Sequence, residues 1–226
     1  MREIVLDTET TGLDPLTGHR IVEVGCLELV NMVATGITFH CYFNPERDMP
    51  TGAQDIHGLT EEFLSDKPLF ADKADELLAF LGDAQLVIHN AQFDIGFLNA
   101  ELERVGKPKL TNAYVDTVSV ARRKFPGQRV SLDALCERFS VDNSNRVKHG
   151  ALLDSELLAE VYLELSGGRQ RVLGLAAEIE GGTASVLVVS NLPVRPPRPH
   201  APSAAELAAH AEFLNQISDP LWLKAA

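Results

Sequence analysis

A short apolar strand that ends in two carboxylates constrains this chain more than any other feature of its sequence. Residues 4–6, with the sequence IVL, have the composition of a buried strand, and Asp7 and Glu9 follow directly. Successive side chains of a strand alternate between the faces of a sheet, so both carboxylates project to the same side. Two like charges so placed repel, and a proton, a cationic side chain or a metal ion has to offset the repulsion. The sequence therefore predicts a charged site at the end of a core strand.

Apolar periodicity predicts an α/β domain over residues 1–168. Strands are predicted at 3–7, 19–30, 37–44, 85–90 and 113–116, and helices at 70–81, 94–105, 117–124, 131–138 and 149–165. Three strands come first and later strands alternate with helices, which is typical of a mixed sheet flanked by helices. Gly167 and Gly168 end the last of these helices and mark the domain boundary.

The character of the chain changes after residue 168. The stretches GGTAS and NLPVRPPRPHAPS are rich in Gly, Pro and Ser, so we interpret residues 169–203 as a linker. The tail, residues 204–226, begins with the amphipathic stretch AAELAAHAEFLNQI and contains the single tryptophan, Trp222. A short helix with an aromatic anchor on a linker is typical of a segment that docks on a partner, and packing against the domain is the alternative.

Composition narrows the class of protein. A formal net charge of −12 argues against a protein that holds nucleic acid by charge alone, unless the carboxylates concentrate at a metal site. The locally basic segment ARRKFPGQR (121–129) reads as a solvated helix end and loop. No apolar run approaches the roughly 18 residues that span a membrane, and no secretory signal pattern is visible. We expect a cytoplasmic protein with reduced thiols at Cys26, Cys41 and Cys136.

Two further carboxylates and a histidine occupy unusual positions. Asp94 follows a predicted strand in VIHNAQFDIGF, and Asp154 lies on an otherwise apolar helix five residues after His149. Burying a lone carboxylate is costly, and pairing with a cation is the usual remedy. A set of carboxylates without Cys ligands suits Mg²⁺ or Mn²⁺ better than zinc. Paired ions of this kind serve phosphoryl displacement, and a neutral histidine nearby can take a proton from the attacking water.

Each of these residues alone has an ordinary alternative. Asp94 could cap its helix, and His149 could simply begin one. Asp7 with Glu9 could form a salt-bridged pair or the magnesium site of a phosphatase. The joint pattern is much more specific than its parts.

Three segments, DTETTG, HNAQFDIGF and HGALLDSELLAEVY, resemble the three motifs of the DEDDh 3′–5′ exonucleases. Two more, DIHGLTEEFLSDKP (55–68) and SLDALCERF (131–139), are similar to the proofreading (epsilon) subunits of bacterial DNA polymerase III, and the resemblance covers about residues 3–168. It implies a ribonuclease-H-like fold, with a mixed five-stranded sheet flanked by helices. It also implies a proofreading exonuclease that removes mispaired 3′-terminal nucleotides as 5′-monophosphates by two-metal-ion hydrolysis.

The resemblance also assigns roles to residues of this chain. It implies His149 as the general base and two divalent cations, Mg²⁺ or Mn²⁺, as cofactors. The metal-binding carboxylates would be Asp7, Glu9, Asp94 and Asp154, with Asp7 bridging both ions and Asp94 acting directly or through a water molecule. Six residues would line the pocket of the terminal nucleotide: Thr10, Gly12, Leu13, His57, Asn90 and Phe93. A place in the core is the alternative for Phe93.

Partners follow from the same resemblance. The expected substrate is a single-stranded or frayed DNA 3′ end. The hexapeptide QRVLGL (170–175) is similar to a sliding-clamp-binding motif with Gln170, Leu173 and Leu175 as anchors, and a continuing helix is its alternative. The tail helix with Trp222 resembles the segment that binds the polymerase alpha subunit, and a further small core subunit is an additional candidate partner. The PPRP-containing linker departs from the Gln-rich linker of that family.

Two rival functions stay open at this point. A stand-alone DEDDh exonuclease could trim RNA or oligoribonucleotides with the same motifs, because nothing in them reads a 2′-hydroxyl. The tail argues against this function, since a stand-alone enzyme needs no polymerase anchor. A non-catalytic subunit that only stabilises a polymerase would be expected to lack a carboxylate or the base, whereas all five positions are present.

Overall fold

The structure is a computed structural model that describes residues 1–146, 148–168 and 201–218. Its strands are β1 (Arg2–Thr10), β2 (Ile21–Val30), β3 (Val33–Tyr42), β4 (Gln85–Ile88) and β5 (Tyr114–Asp116). Its helices are α1 (Thr51–His57), α2 (Glu61–Leu64), α3 (Phe70–Leu81), α4 (Ala91–Arg104), α5 (Thr117–Lys124), α6 (Leu132–Phe139), α7 (Ala151–Leu165) and α8 (Ala204–Leu214). The chain divides into two units, Met1–Leu175 and Ala176–Ala226, and α8 is the described element of the second.

The first unit is built on one mixed sheet with strand order β3-β2-β1-β4-β5. The two hairpin-connected pairs, β1–β2 and β2–β3, are antiparallel. The pairs β1–β4 and β4–β5 are parallel, and helix α4 connects β4 to β5. The observed fold confirms the expected ribonuclease-H-like class and places β1 at the centre of the sheet.

Each face of the sheet is covered by its own hydrophobic core. Ile4 and Leu6 of β1 belong to a cluster with residues of α3 and α4, whereas Val5 belongs to a cluster with α6 and α7. All three side chains are fully buried, and burying an aliphatic side chain of this size contributes about 1.5–3 kcal/mol. The strand that carries Asp7 and Glu9 is therefore held rigidly from both sides.

Some element bounds differ from the predicted ones. Helices α1 and α2 lie in a stretch that the sequence pattern left unassigned, because neither is long enough to show a helical apolar repeat. Strand β4 ends at Ile88, not at residue 90, since Asn90 adopts a left-handed conformation with φ of 71°. Helix α4 consequently begins at Ala91, three residues before the predicted start.

Other expectations concern membrane spans and thiols. In the part of the chain that the structure describes, no helix combines the length and the apolar character that crossing a bilayer requires. Cys26, Cys41 and Cys136 are free thiols, as expected. The predicted linker lies largely outside the described residues, and its bounds stay a prediction.

Candidate active site

The first two carboxylates lie at the end of β1, on the face that packs against α7. Asp7 pairs with Gly25 of β2 and Glu9 with Glu23, and Glu9 is only 8% exposed. Strand alternation places Asp7 and Glu9 on the same face as Val5, which belongs to the α7 cluster. The predicted same-side arrangement is therefore present.

Helix α7 reaches this strand pair because Gly25 has no side chain. A Cβ at Gly25 would lie 2.2 Å from the backbone nitrogen of Leu152, which no packed structure tolerates. Ser155 fixes the contact by donating a hydrogen bond from its hydroxyl to the Gly25 carbonyl at 2.9 Å. Asp154, which is 3% exposed, is thereby carried to the end of β1.

Asp94 enters from the opposite layer of the domain. It lies in the first turn of α4, is 2% exposed, and accepts a hydrogen bond at 2.7 Å from the Thr8 hydroxyl. The N-cap position of α4 belongs to Asn90, so the interpretation of Asp94 as a helix cap is wrong. Its carboxylate is directed to the strand end because α4 begins immediately after β4.

The pKa values of three carboxyl groups in this cluster are raised. Burial is the main cause for Asp7, Glu9 and Asp94, and it raises the pKa of Glu9 to about 8 and that of Asp94 to about 7. Burial raises the pKa of Asp7 well above its usual value, and the charges of Asp94, Glu9 and Asp154 add to the effect. The cluster therefore favours protons or cations at neutral pH.

His149 lies at the edge of the cluster. Glu9, His149 and Asp154 each offer a ligand atom within 4.8 Å of the others. The imidazole is half exposed, and burial together with the charge of Arg146 lowers its pKa below the ordinary value. A histidine of this kind is neutral at physiological pH and has the protonation state of a base.

Sequence reasoning missed Arg146. Its guanidinium is 7% exposed and binds Asp154 through two hydrogen bonds, from Nε to Oδ1 at 2.5 Å and from Nη2 to Oδ2 at 2.6 Å. Its Nη1 donates to Asp133 at 2.7 Å. The only cue in the sequence is nearness to His149, since a single Arg in NSNRVKHG forms no pattern.

Three predicted pocket residues lie at the C-terminal end of β1 and in the turn after it. The Thr10 hydroxyl donates to the Gly12 carbonyl at 2.6 Å and so closes the turn. The space that a side chain at Gly12 would occupy is filled by the His19 ring, whose nearest atom is 2.3 Å from the ideal Cβ position. Leu13 is 84% exposed. Their role in nucleotide binding stays a prediction.

The other three predicted pocket residues come from α1 and α4. His57 is buried and accepts a hydrogen bond at Nδ1 from the Leu59 amide, while its Nε2 has no protein partner among the described residues. Asn90 is exposed at the start of α4. Phe93 is partly buried with its ring centroid 4.9 Å from that of Phe97, so it packs at the border of the core. Binding by these residues also stays a prediction.

The predicted clamp-binding anchors Gln170, Leu173 and Leu175 lie outside the described residues, as does Trp222. The tail helix is present as α8 and ends at Leu214, three residues before the predicted end. Its N-terminus is a capping box of Ser203 and Glu206. Leu207 and Phe213 expose more than half of their surface.

Comparison with known proteins identifies relatives along the whole chain. Residues 4–162 match the sequence profile of the RNase_T exonuclease family. The DNA polymerase III subunit epsilon of Rickettsia felis is 52% identical over 96% of this chain and 97% of its own length. The Escherichia coli K12 subunit of the same name is 49% identical, over 80% of this chain and 77% of its own.

Solved structures agree in fold. Exonuclease X in complex with 5′ overhanging duplex DNA is 26% identical, with a TM-score of 0.57 over 72% of this chain and 90% of that chain. The nuclease domain of 3′hExo, a DEDDh family member bound to rAMP, has a TM-score of 0.64 at 19% identity, over 75% of this chain and 94% of its own. With four carboxylates and a histidine collected at the end of the central strand, the chain belongs to the DEDDh 3′–5′ exonuclease family, among the epsilon subunits of bacterial DNA polymerase III.

Proposed function

We propose that this chain is the proofreading 3′–5′ exonuclease of a bacterial replicative polymerase and releases mispaired terminal nucleotides as nucleoside 5′-monophosphates. The observation that carries the proposal is the buried carboxylate cluster beside a neutral histidine. The Rickettsia felis relative named as a polymerase III epsilon subunit covers nearly the full length of the chain and supports the same activity. The protein would accordingly act at the replisome in the bacterial cytoplasm.

The four carboxylates fit divalent cations. They offer oxygen ligands and no Cys ligand, as Mg²⁺ and Mn²⁺ prefer. The raised pKa values of Asp7, Glu9 and Asp94 mean that burial disfavours their charged forms, and a bound cation would offset that cost. We infer that Asp7, Glu9, Asp94 and Asp154 hold two such ions, which supply charge stabilisation to the phosphoryl transition state and lower the pKa of water.

His149 would take the proton from the attacking water. Its lowered pKa keeps the ring neutral, so a nitrogen lone pair is available whenever no donor occupies it. Water adds to the phosphorus of the last phosphodiester, and the bond to the 3′-oxygen of the preceding nucleotide breaks. The proton passes from water to His149, and the leaving oxygen is protonated in turn.

Selection for mispaired ends needs no pocket that reads a base. A 3′ end has to fray to reach a cluster this buried, and a mispaired end unpairs at lower cost. The exposed Leu13, in the turn that follows β1, is a candidate surface for the unstacked terminal base. The chain is strongly acidic, so a polymerase partner would supply most of the affinity for duplex DNA.

The tail is the proposed attachment to the polymerase alpha subunit. Helix α8 exposes Leu207 and Phe213, which suit docking in a partner groove. The Rickettsia relatives extend over this tail as well as the nuclease domain, which supports a shared attachment. The hexapeptide at 170–175 is proposed as a weak clamp contact, and both tethers would raise the effective concentration of the nuclease at the primer end.

A digestion time course tests the activity. DNA labelled at the 5′ end, either single-stranded or with a matched or mispaired primer end, would be incubated with the full chain in Mg²⁺, in Mn²⁺ or in EDTA. We expect a metal-dependent ladder that shortens from the 3′ end, faster on the mispaired primer. A faster ladder on an RNA of the same sequence would instead support an RNA-trimming enzyme, and no ladder in either metal would support a non-catalytic subunit.

His149→Gln tests the proposed base. Glutamine keeps polarity and approximate size but cannot accept the proton, so we expect the rate to fall by about 10²–10⁴-fold. Calorimetric Mn²⁺ affinity should be largely retained, because the carboxylates are unchanged. An unaltered rate at neutral pH would remove His149 from the mechanism.

A further inference from the structure

Arg146 blocks two functional groups at once. Its bidentate hydrogen bonds occupy both oxygens of Asp154. Its Nη2 also lies 2.9 Å from Nδ1 of His149. A guanidinium has only donors, so the histidine nitrogen has to present its lone pair to Arg146.

This arrangement is incompatible with the proposed chemistry. With Nδ1 accepting from Arg146, the neutral ring carries its proton on Nε2, and neither nitrogen of His149 can accept another. The Asp154 oxygens face the guanidinium, and a second cation on the same oxygens would meet a like charge at contact distance. While Arg146 makes these contacts, His149 cannot act as a base and the oxygens of Asp154 are not free to bind a metal ion.

We propose that Arg146 competes with divalent cations for Asp154, and that its departure frees Asp154 and His149 together. The inference rests on the proposed metal site. Arg146 then acts as a positioning residue with two states, one bound to Asp154 and His149 and one released from them. Its release makes Asp154 available to the metal ions and His149 available as the base. One movement prepares both groups, so the base is not available at a site that lacks its cations.

A cavity beside His149 could receive the Arg146 side chain once it leaves Asp154. A cavity of about 360 Å³ adjoins His149 and is lined by Asp55, Asp133 and Lys148 as well as Arg146. Asp133 already accepts a hydrogen bond from Nη1, and its carboxylate is more than half exposed. A rotation of the side chain about this anchor would keep one ion pair while it releases Asp154.

Metal binding by Arg146 variants is the first test. Mn²⁺ affinity would be measured by calorimetry for the full-length wild type, Arg146→Gln and Arg146→Lys. Removing a competing charge-assisted pair should tighten binding on the order of tenfold or more in Arg146→Gln. Arg146→Lys should fall between, since an ammonium cannot form the bidentate contact.

Lys148→Gln is the matched control. It removes one positive charge from the same cavity wall, but the Lys148 ammonium binds the Asp55 carbonyl and no carboxylate of the cluster. An exposed charge is screened, so its loss should change Mn²⁺ affinity little. Equal affinities for Arg146→Gln and Lys148→Gln would overturn the inference alone. Failure of all four proteins to bind Mn²⁺ would overturn the proposed metal site and this inference with it.

A second measurement uses the wild-type chain and does not depend on the folding of a variant. The Nε–H signal of Arg146 would be followed by ¹⁵N NMR during Mg²⁺ titration and assigned by its loss in Arg146→Lys. We expect protection from solvent exchange in EDTA and loss of that protection at saturation. The imidazole ¹⁵N shifts of His149 should move over the same Mg²⁺ range. An Arg146 signal unchanged at saturating Mg²⁺ would contradict the proposal.

Discussion

Asp7, Glu9 and Asp94 are ionisable side chains in surroundings that favour their neutral forms. Burial raises the pKa of each, and the charges of neighbouring carboxylates add to the effect for Asp7 and Glu9. Arg146 is the cation that binds a member of the cluster directly in the described part of the chain. The burial of these carboxylates lowers the free energy of unfolding and also gives the site its capacity to bind cations. Residues selected for stability would not be arranged in this way.

Asp7→Asn should separate these two effects. The amide keeps the shape but removes a charge, so we expect hydrolysis to fall by about a thousandfold or more, given the several kcal/mol that metal ions contribute to phosphoryl transfer. Urea unfolding in EDTA should show an unchanged or higher free energy of unfolding at pH 8. Asp75→Asn, which alters an exposed carboxylate paired with Lys107, is the control and should change neither quantity. Retained hydrolysis in Asp7→Asn would remove the cluster from the mechanism.

The free energy of unfolding should fall with pH when metal is chelated. The pKa of Glu9 is about 8 in the folded chain against an ordinary 4.5, so the folded form binds more protons than the unfolded form between these values. His57, His89 and His149 have lowered pKa values and oppose this trend only below about pH 6.5. Urea titrations in EDTA at pH 7 and pH 8 should therefore show lower stability at pH 8. Excess Mg²⁺ should reduce or reverse the difference, and a rise in stability with pH in EDTA would contradict the assigned burial.

At the scale of elements, the contact between α7 and the β1–β2 pair decides the geometry of the site. Helix α7 carries Asp154, and its first turn rests on the backbone of Gly25. Helix α4 carries Asp94 from the other layer. The site is thus the meeting point of β1, α4 and α7, so a shift of α7 would move Asp154 away from Asp7 and Glu9.

Gly25→Ala should displace α7. The added methyl group overlaps the backbone of Ala151 and Leu152, so we expect a loss of about 1–3 kcal/mol in the free energy of unfolding and a larger proportional loss of hydrolysis. Gly96→Ala, within α4 and with open space at its Cβ, is the matched control and should gain about 0.5–1 kcal/mol. Both values are measurable by urea unfolding. Wild-type stability and activity in Gly25→Ala would show that the close approach of α7 is not required.

At the scale of the whole molecule, the proposed catalytic site and the proposed attachment segment lie in different parts of the chain. All five candidate catalytic side chains lie within the unit Met1–Leu175, whereas α8 lies in the unit Ala176–Ala226. A buried carboxylate site on an acidic domain has little affinity of its own for duplex DNA. Attachment to a polymerase through the tail would compensate for that weakness by raising local concentration.

Deleting residues 204–226 should abolish binding to the polymerase alpha subunit and leave digestion of short single-stranded DNA unchanged. The nuclease unit keeps its complete core and site in this truncation. Analytical ultracentrifugation with the alpha subunit and the digestion assay measure the two effects. Binding that persists without the tail would place the interface on the nuclease domain.

The sequence by itself determined the strand that carries Asp7 and Glu9, the mixed α/β order of elements and the three motifs of the family, although β1 extends to Thr10 and not only to the predicted residue 7. These features depend on neighbours along the chain, where side-chain alternation and helical periodicity act. It did not determine α1 and α2, which are too short for a periodic pattern, or the true start of α4 at Ala91, which depends on the conformation of Asn90.

Only the tertiary structure decided which distant side chains meet. Asp94 and Asp154 reach Asp7 because β4 pairs with β1 and because α7 packs on Gly25. The contacts of Arg146 with Asp154 and His149 follow from the course of the loop before α7, which no local pattern encodes. Packing joins residues that are far apart in sequence, and the charges it brings together determine the pKa values and the competition for cations at this site.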